Sequence, residues 1–311
     1  VDWLEPYRSE LREVFAEAER VCGRLPAPVA KMAAAYLDKF SIQNEGSGKN
    51  YICYTLPFWM KEETRLNPEL YRQLSLANVF LMLHFFIQDD LMDSGMPNCR
   101  EMLPLANFMQ HEYMSVYQIL FPPESSFWSY YRTYLSEWAD AVLHENDPGY
   151  FAERHGRLAH KASPVKLAST GSLLLADKHE LIPAVSDIVD AVLDTLQTVD
   201  DYADWQEDLA DGNYNALVAL VRSLLPEGEA VTESVMHKWI YDRSVLDLYA
   251  QNAADRHRSL RQQPFNLPDL VSFHGSLVDN LVSAAATIEN EKSRLISGGL
   301  YYLLSKEGKI G

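Results

Sequence analysis

"NVFLMLHFFIQDDLMD" (Asn78–Asp93) is an apolar run that ends in three aspartates within five positions. No strand alternation is present, and a run apolar on every side belongs to a helix buried all round. On a helix, residues four apart stack, so Asp89 and Asp93 share a face with Asp90 beside them. Carboxylates placed this way repel one another, and aspartate is a mediocre helix former. Unpaired charge behind a buried run is expensive, so something cationic should offset it.

"QTVDDYADWQED" (Gln197–Asp208) repeats the pattern downstream. Asp200, Asp204 and Asp208 form an i, i+4, i+8 row, Gln197 lies one turn earlier, and Asp201 flanks the row. A single acidic cluster at a helix end is ordinarily a solvated cap. Two clusters, both DDxxD and both in helical runs, point to a shared cationic partner. Hard oxygen donors without His or Cys suit Mg²⁺ better than zinc, and Mg²⁺ commonly shares itself between one or two carboxylates and phosphate oxygens. The expectation is two carboxylate walls that hold Mg²⁺ and, through it, a diphosphate.

The composition narrows the partners. The 311 residues carry 27 basic and 44 acidic side chains, a formal net charge of −17. Nucleic acid and anionic membrane surfaces are therefore excluded as main partners. Hydrophobic residues at 47% supply a sizeable core. Cys22, Cys53 and Cys99 are scattered and form no CxxC, which predicts a reducing, cytoplasmic setting. No HExxH and no run of 18 apolar residues occurs, so no membrane span is expected. The opening "VDWLEPYRSE" is mixed and acidic, unlike a signal peptide. "GSGKN" (Gly46–Asn50) lacks the first glycine and the Ser/Thr of a phosphate loop and follows no strand.

Helical periodicity begins with Trp3, Leu4, Tyr7, Leu11, Val14, Phe15 and Ala18 and continues almost throughout. It predicts helices near 28–40, 51–63, 67–93, 101–120, 124–145, 150–177, 182–210, 213–224, 231–258 and 267–295. Punctuation such as "DSGMPN", "FPPESS" and "LPEGE" separates them. No linker is long or polar enough to split the chain, so one all-α domain over 1–311, of about ten or more helices, is expected.

With both motifs in view, the chain resembles the trans-isoprenyl diphosphate synthases. "FFIQDDLMDS" looks like their first aspartate-rich motif, and the second stretch matches their Q-x-x-D-D-Y-x-D-x-x-x-D, Gln197 and Tyr202 included. The resemblance implies the class I isoprenoid synthase bundle around a central cavity, a prenyl diphosphate substrate, three Mg²⁺ ions and a homodimer. It implies a metal set of Asp89, Asp90, Asp93, Asp200, Asp201 and Asp204. Of these, Asp89, Asp93 and Asp200 match the direct ligands, and Asp90, Asp201, Asp204 and Asp208 the supporting positions. Lys161, in "HKASPVKLAS", matches the lysine that binds the allylic diphosphate, with Lys166 second. Gln197, Asp208 and Arg100 complete the polar substrate set. Phe85 and Phe86, just before the first motif, match the floor of the chain pocket, where bulk favours a short or folded chain.

The departures from the pattern steer the function. After the first motif, an Arg-Arg pair is replaced by "SGMPNCRE", with Arg100 alone. Near the start, Gly-Gly-Lys-x-x-Arg is reduced to "GSGKNYI", with Lys49 and no arginine behind it. After the second motif, Asn213 stands where a lysine is usual. These cations hold the second substrate, isopentenyl diphosphate, so their loss implies that one diphosphate binds. That pattern resembles the bacterial terpene synthases of the prenyl-synthase-like type. Such an enzyme ionises one linear prenyl diphosphate of fifteen or twenty carbons, then cyclises or rearranges the cation.

Water would quench that cation, and aromatic faces can steady it. Trp128, Tyr131, Tyr134 and Trp138 can share a face for this purpose, or form a plain aromatic core stripe. His84 could line the same wall or be an ordinary core histidine. Prenyl transfer, by chain elongation or to another acceptor, remains the alternative. A non-catalytic partner subunit would be expected to have lost aspartates, and a head-to-head synthase fits the Q-x-x-D-D-Y stretch less well.

Overall fold

A computed structural model of the chain describes residues 3–44, 50–92, 99–145, 147, 149–151, 158–226 and 228–307, without the side chains of 99 and 295–307. The fold is all-α, with no strand among the described residues. The α-helices are α1 (Arg8–Gly23), α2 (Ala27–Asp38), α3 (Tyr51–Trp59), α4 (Lys61–Thr64), α5 (Pro68–Met92), α6 (Cys99–Leu120), α7 (Phe127–Leu143), α8 (Leu167–Leu175), α9 (Ile182–Asp211), α10 (Ala216–Leu224), α11 (Glu233–His237), α12 (Val245–Leu260) and α13 (Pro268–Glu307).

Five expected helices differ from the periodicity: 51–63 divides at Met60 into α3 and α4, 267–295 runs on to Glu307 as α13, and three more depart as follows. The stretch 150–177 is not one helix: 3-10 turns occupy Leu158–Lys166, with Pro164 inside and non-helical dihedrals at Ala162. Proline cannot donate to an α-helical ladder, and α8 starts only after it. The stretch 231–258 divides into α11, a π-turn at Lys238–Asp242 and α12, because Ser244 takes left-handed dihedrals, φ 54°. The helix expected from 213 begins at Ala216, after an asparagine cap.

The backbone groups into two compact units, Val1–Asp140 with His160–Val189 and Phe265–Leu270, and Ala141–Ala159 with Asp190–Pro264 and Val271–Gly311. In the first unit α5 is the hub and packs against α1, α3, α6 and α8. It buries Leu74, Val79, Phe80, Leu81, Met82, Leu83 and Ile87 on all sides, as its apolar run predicts. By length and composition α5 could cross a membrane, but 67% of its most apolar window is buried in the protein, which makes it a core helix.

Two of its buried polar side chains donate to nearby carbonyls, although Asn78 Oδ1 is buried without a partner among the described residues. Ser75 Oγ donates to the Tyr54 carbonyl at 2.6 Å, and Asn78 Nδ2 donates to the Leu74 carbonyl at 2.9 Å. Gly171 of α8 meets α5 closely: a Cβ there would lie 3.0 Å from Leu74 Cδ2 and 3.2 Å from Phe121 Cζ. Cys22 and Cys53 are buried free thiols in this unit.

The second unit packs α10, α11, α12 and the later parts of α9 and α13 around Trp205, Leu217, Val221, Met236, Ile240, Leu246, Ala253 and Leu281. Buried polar groups join three of these helices. Thr195 Oγ1 donates to the Ala191 carbonyl at 3.1 Å, so it accepts from His274 Nε2–H at 2.8 Å. His274 Nδ1 is then the bare nitrogen and accepts from His257 Nδ1–H at 3.0 Å. Burial, then the neighbouring charges of His257 and Arg256, pushes His274 down to about 3.

A histidine lowered in the folded state leaves the unfolded chain holding the extra proton below about pH 6.5, so stability falls as pH drops through that value toward 3. At pH 5 the loss from His274 is about 2 kcal/mol relative to neutral pH. Denaturant titrations of wild type and His274→Asn at pH 7 and pH 5 check this. The variant should show a pH 7-to-5 loss smaller by about that amount, and an unchanged difference refutes the assignment.

Candidate functional site

On α9 the residues Asp194, Thr198, Asp201 and Trp205, at helical steps of four, three and four, form the buried stripe, each at most 7% exposed. This puts one aspartate of the second motif into the core and leaves its neighbours Asp200 and Asp204 exposed. A carboxylate so deeply buried needs donors. Asp201 Oδ1 accepts from Gln197 Nε2 at 2.8 Å, and Oδ2 accepts from the Ala216 backbone N–H at 2.7 Å. The second donor is the first residue of α10, where the helix dipole also favours negative charge.

The turn after α9 completes the arrangement. Gly212 takes φ 79°, a left-handed conformation that costs glycine little. The Asn213 N–H then donates back to the Asp208 carbonyl at 2.9 Å, closing the helix. Asn215, 2% exposed, caps α10: its Oδ1 accepts from the Leu217 and Val218 N–H groups at 3.0 and 3.1 Å. Its Nδ2 donates to the Asp201 carbonyl at 2.7 Å and to Asp208 Oδ2 at 2.8 Å. The sequence signal for this residue was an asparagine immediately before the apolar run "ALVALV", a helix-start pattern.

Asp201 was expected as a metal residue, and Gln197 and Asp208 as substrate residues. The structure gives all three internal bonds: Gln197 holds Asp201, Asp201 holds the start of α10, and Asp208 holds Asn215. Asp200 differs. Although its side chain opens to solvent, the protein around it, then the carboxylates of Asp201 and Asp204, pushes its carboxyl up to about 6. A cation placed there would relieve that crowding.

In the first motif Asp89 is exposed, and Asp90 Oδ2 accepts from the Tyr36 hydroxyl at 2.8 Å. Burial, then that hydrogen bond and the charge of Asp90, raises the Tyr36 hydroxyl well above its ordinary range, so it stays a donor. Asp93 and Lys49 lie outside the described residues. Half-buried Phe85 meets the Trp138 ring edge-on, centroids 4.9 Å apart, and Phe86 packs on Phe40 at 5.0 Å. His84 is a core histidine whose Nδ1–H donates to the Ala106 carbonyl at 2.9 Å. Its Nε2 accepts from Gln88 Nε2 at 3.1 Å, and burial lowers its pKa.

Tyr134 of the aromatic stripe is also core, its hydroxyl bonded with Thr170 and Ser186 at 2.8 and 2.9 Å. Arg100 is exposed near the start of α6, and Lys161 is half-buried in the 3-10 segment. Lys166 is 1% exposed and bound to Glu137 at 2.8 Å, which removes it as a diphosphate ligand.

The α5 acids belong to the first unit and the α9 acids to the second. Among the described residues no three His, Cys, Asp or Glu side chains form a ready-made metal cage. Asp201 and Asp208 are turned to structural tasks, which leaves exposed carboxylates in ones and twos. That donor set fits Mg²⁺, which needs few protein carboxylates and completes its octahedron with water and phosphate oxygens. A cavity of about 150 Å³ within the second unit is walled by Asp194, Thr198, Tyr214, Tyr249, Asn252 and Arg256, among others. Arg256 pairs with Asp194 there at 3.0 Å. So polar a chamber does not suit a carbocation. Neither a scan against protein-family models nor a search of curated proteins finds a match to this chain.

Proposed function

We propose that the chain is a Mg²⁺-dependent terpene synthase that ionises one linear prenyl diphosphate of fifteen or twenty carbons. The observation that carries this reading is the division of labour on α9. Asp201 and Asp208 are bonded to the start of α10, while Asp200 and Asp204 stay exposed, the Asp200 carboxyl raised by the protein around it and then by the charges of Asp201 and Asp204, which a cation would offset.

On α9, Asp200 and Asp204 are the groups that would hold Mg²⁺, which when bound supplies Lewis-acid polarisation of the diphosphate leaving group. The allylic carbon–oxygen bond breaks, and the electron pair leaves with diphosphate. By its resemblance to the allylic-diphosphate lysine, Lys161 is assigned to the diphosphate oxygens, and Lys166 is bound to Glu137. Phe85, its ring fixed by Trp138, offers an aromatic face of the kind that steadies positive charge without quenching it.

The test is incubation with Mg²⁺ and ten-, fifteen- and twenty-carbon prenyl diphosphates, with and without isopentenyl diphosphate, followed by gas chromatography–mass spectrometry before and after phosphatase. Hydrocarbon or alcohol formed without the co-substrate is the expected result. Longer diphosphates formed only with it would move the assignment to chain elongation.

A further inference from the structure

Asn215 is a buried side chain that makes four hydrogen bonds, the full capacity of its amide donors and a matched pair at its oxygen. A helix cap needs only the oxygen, and Ser, Asp or Thr would supply that equally well. The amide hydrogens do something else. One donates to the Asp201 carbonyl and the other to the Asp208 carboxylate, so a single planar group spans two turns near the end of α9. Asp201, one residue from Asp200, is gripped a second time by the Ala216 N–H.

We infer that Asn215 is a positioning residue for the α9 acids. By tying Asp201 and Asp208 to the first turn of α10, it fixes the roll of α9 that keeps Asp200 and Asp204 outward. This rests on the metal reading given above and reassigns Asp208 from substrate contact to anchor. Without the two donations, the Asp208 carboxylate swings free to compete for ions, and the last turns of α9 lose their reference.

Asn215→Ser separates the tasks, because serine keeps the cap oxygen and loses both amide donors. The probe is Mn²⁺ with inorganic pyrophosphate, followed by electron paramagnetic resonance on the full chain. Outer-shell partners of metal ligands typically govern affinity by roughly ten- to a hundredfold. Asn215→Ser should therefore bind Mn²⁺ at least about tenfold more weakly than wild type, while keeping the helical circular dichroism of wild type in metal-free buffer.

Equal Mn²⁺ affinity in the two proteins overturns the inference alone. A wild type that binds no Mn²⁺ with pyrophosphate overturns the metal reading, and the inference with it. Should Asn215→Ser lose its helical circular dichroism, Asn215→Asp, which also keeps the cap oxygen, is measured against the same criterion. Loss of fold in both variants assigns the residue to folding and overturns positioning.

Discussion

Asp200→Asn should lose about a thousandfold in turnover while making the metal-free protein more stable at neutral pH. The first effect follows from the size of the contribution at stake. A metal-held leaving group draws several kcal/mol of transition-state stabilisation, and each 1.4 kcal/mol is a factor of about ten. The second follows from the raised carboxyl. A group that titrates near 6 in the fold and near 3.8 in the unfolded chain binds its proton more tightly when folded. Its contribution to stability therefore declines as pH rises from about 4 through 6, and at pH 7 the ionised group opposes folding. The side chain is solvent-exposed, so screening trims the gain to a modest one.

An asparagine keeps the shape and removes the charge. The melting temperature in chelator at pH 7 should rise, and the stabilisation by Mg²⁺ with pyrophosphate should vanish. The paired signs matter more than either alone. A merely structural Asp200 would give a variant that melts earlier and still responds to the ions, and that outcome would end its assignment as a ligand.

The helical order was readable because it depends on local pattern. "NVFLMLHFFI" offers no polar face, so α5 had to be an interior helix, and the structure makes it the hub of its unit. The acid row of α9 was equally plain from its spacing. The roles within the row were not, because they depend on what lies across space. Spacing alone puts Asp201 beside Asp200, but only the buried stripe through Thr198 and Trp205 shows that Asp201 points inward.

The donors to Asp201 come from Gln197, one turn back, and from Ala216, beyond a turn whose path hangs on a left-handed Gly212. Nothing in "DRS" announces that Ser244 should take left-handed dihedrals and divide α11 from α12. Lys161 and Lys166 look alike in "HKASPVK". What separates them is burial: Lys166 is 1% exposed and bound to Glu137 of α7, whereas Lys161 is half-buried.

Replacing that glutamate gives the largest expected change in stability. Glu137→Gln should cost about 3 kcal/mol, the low end of the range for breaking a buried pair, because the Glu137 side chain is still 26% exposed. The loss falls on Lys166, whose side chain is 2% exposed. Its ammonium donates to Glu137 Oε2 at 2.8 Å and lies 4.7 Å from the centroid of the Tyr134 ring. Ser163 Oγ donates to the same oxygen at 2.6 Å.

Burial works to raise the Glu137 carboxyl, but the hydrogen bonds from Lys166 and Ser163 and the charge of Lys166 outweigh it and hold the group below its ordinary value. A carboxylate lowered in the fold contributes stability above its unfolded pKa and loses it as pH falls below that value. The pair should thus weaken in mild acid, and Glu137→Gln should show a flatter acid limb than wild type. A glutamine amide leaves the Lys166 charge stranded; the tyrosine ring offsets a part of it.

Removing both charges is a different experiment. Glu137→Leu with Lys166→Met replaces the pair by apolar groups of similar length, a change that is often neutral in buried sites. The double variant should recover most of what Glu137→Gln loses, measured by urea denaturation at neutral pH. A single variant within about 1 kcal/mol of wild type would mean that Lys166 reaches water or sheds its proton without cost. In that case Lys166 would return beside Lys161 as a candidate for the diphosphate.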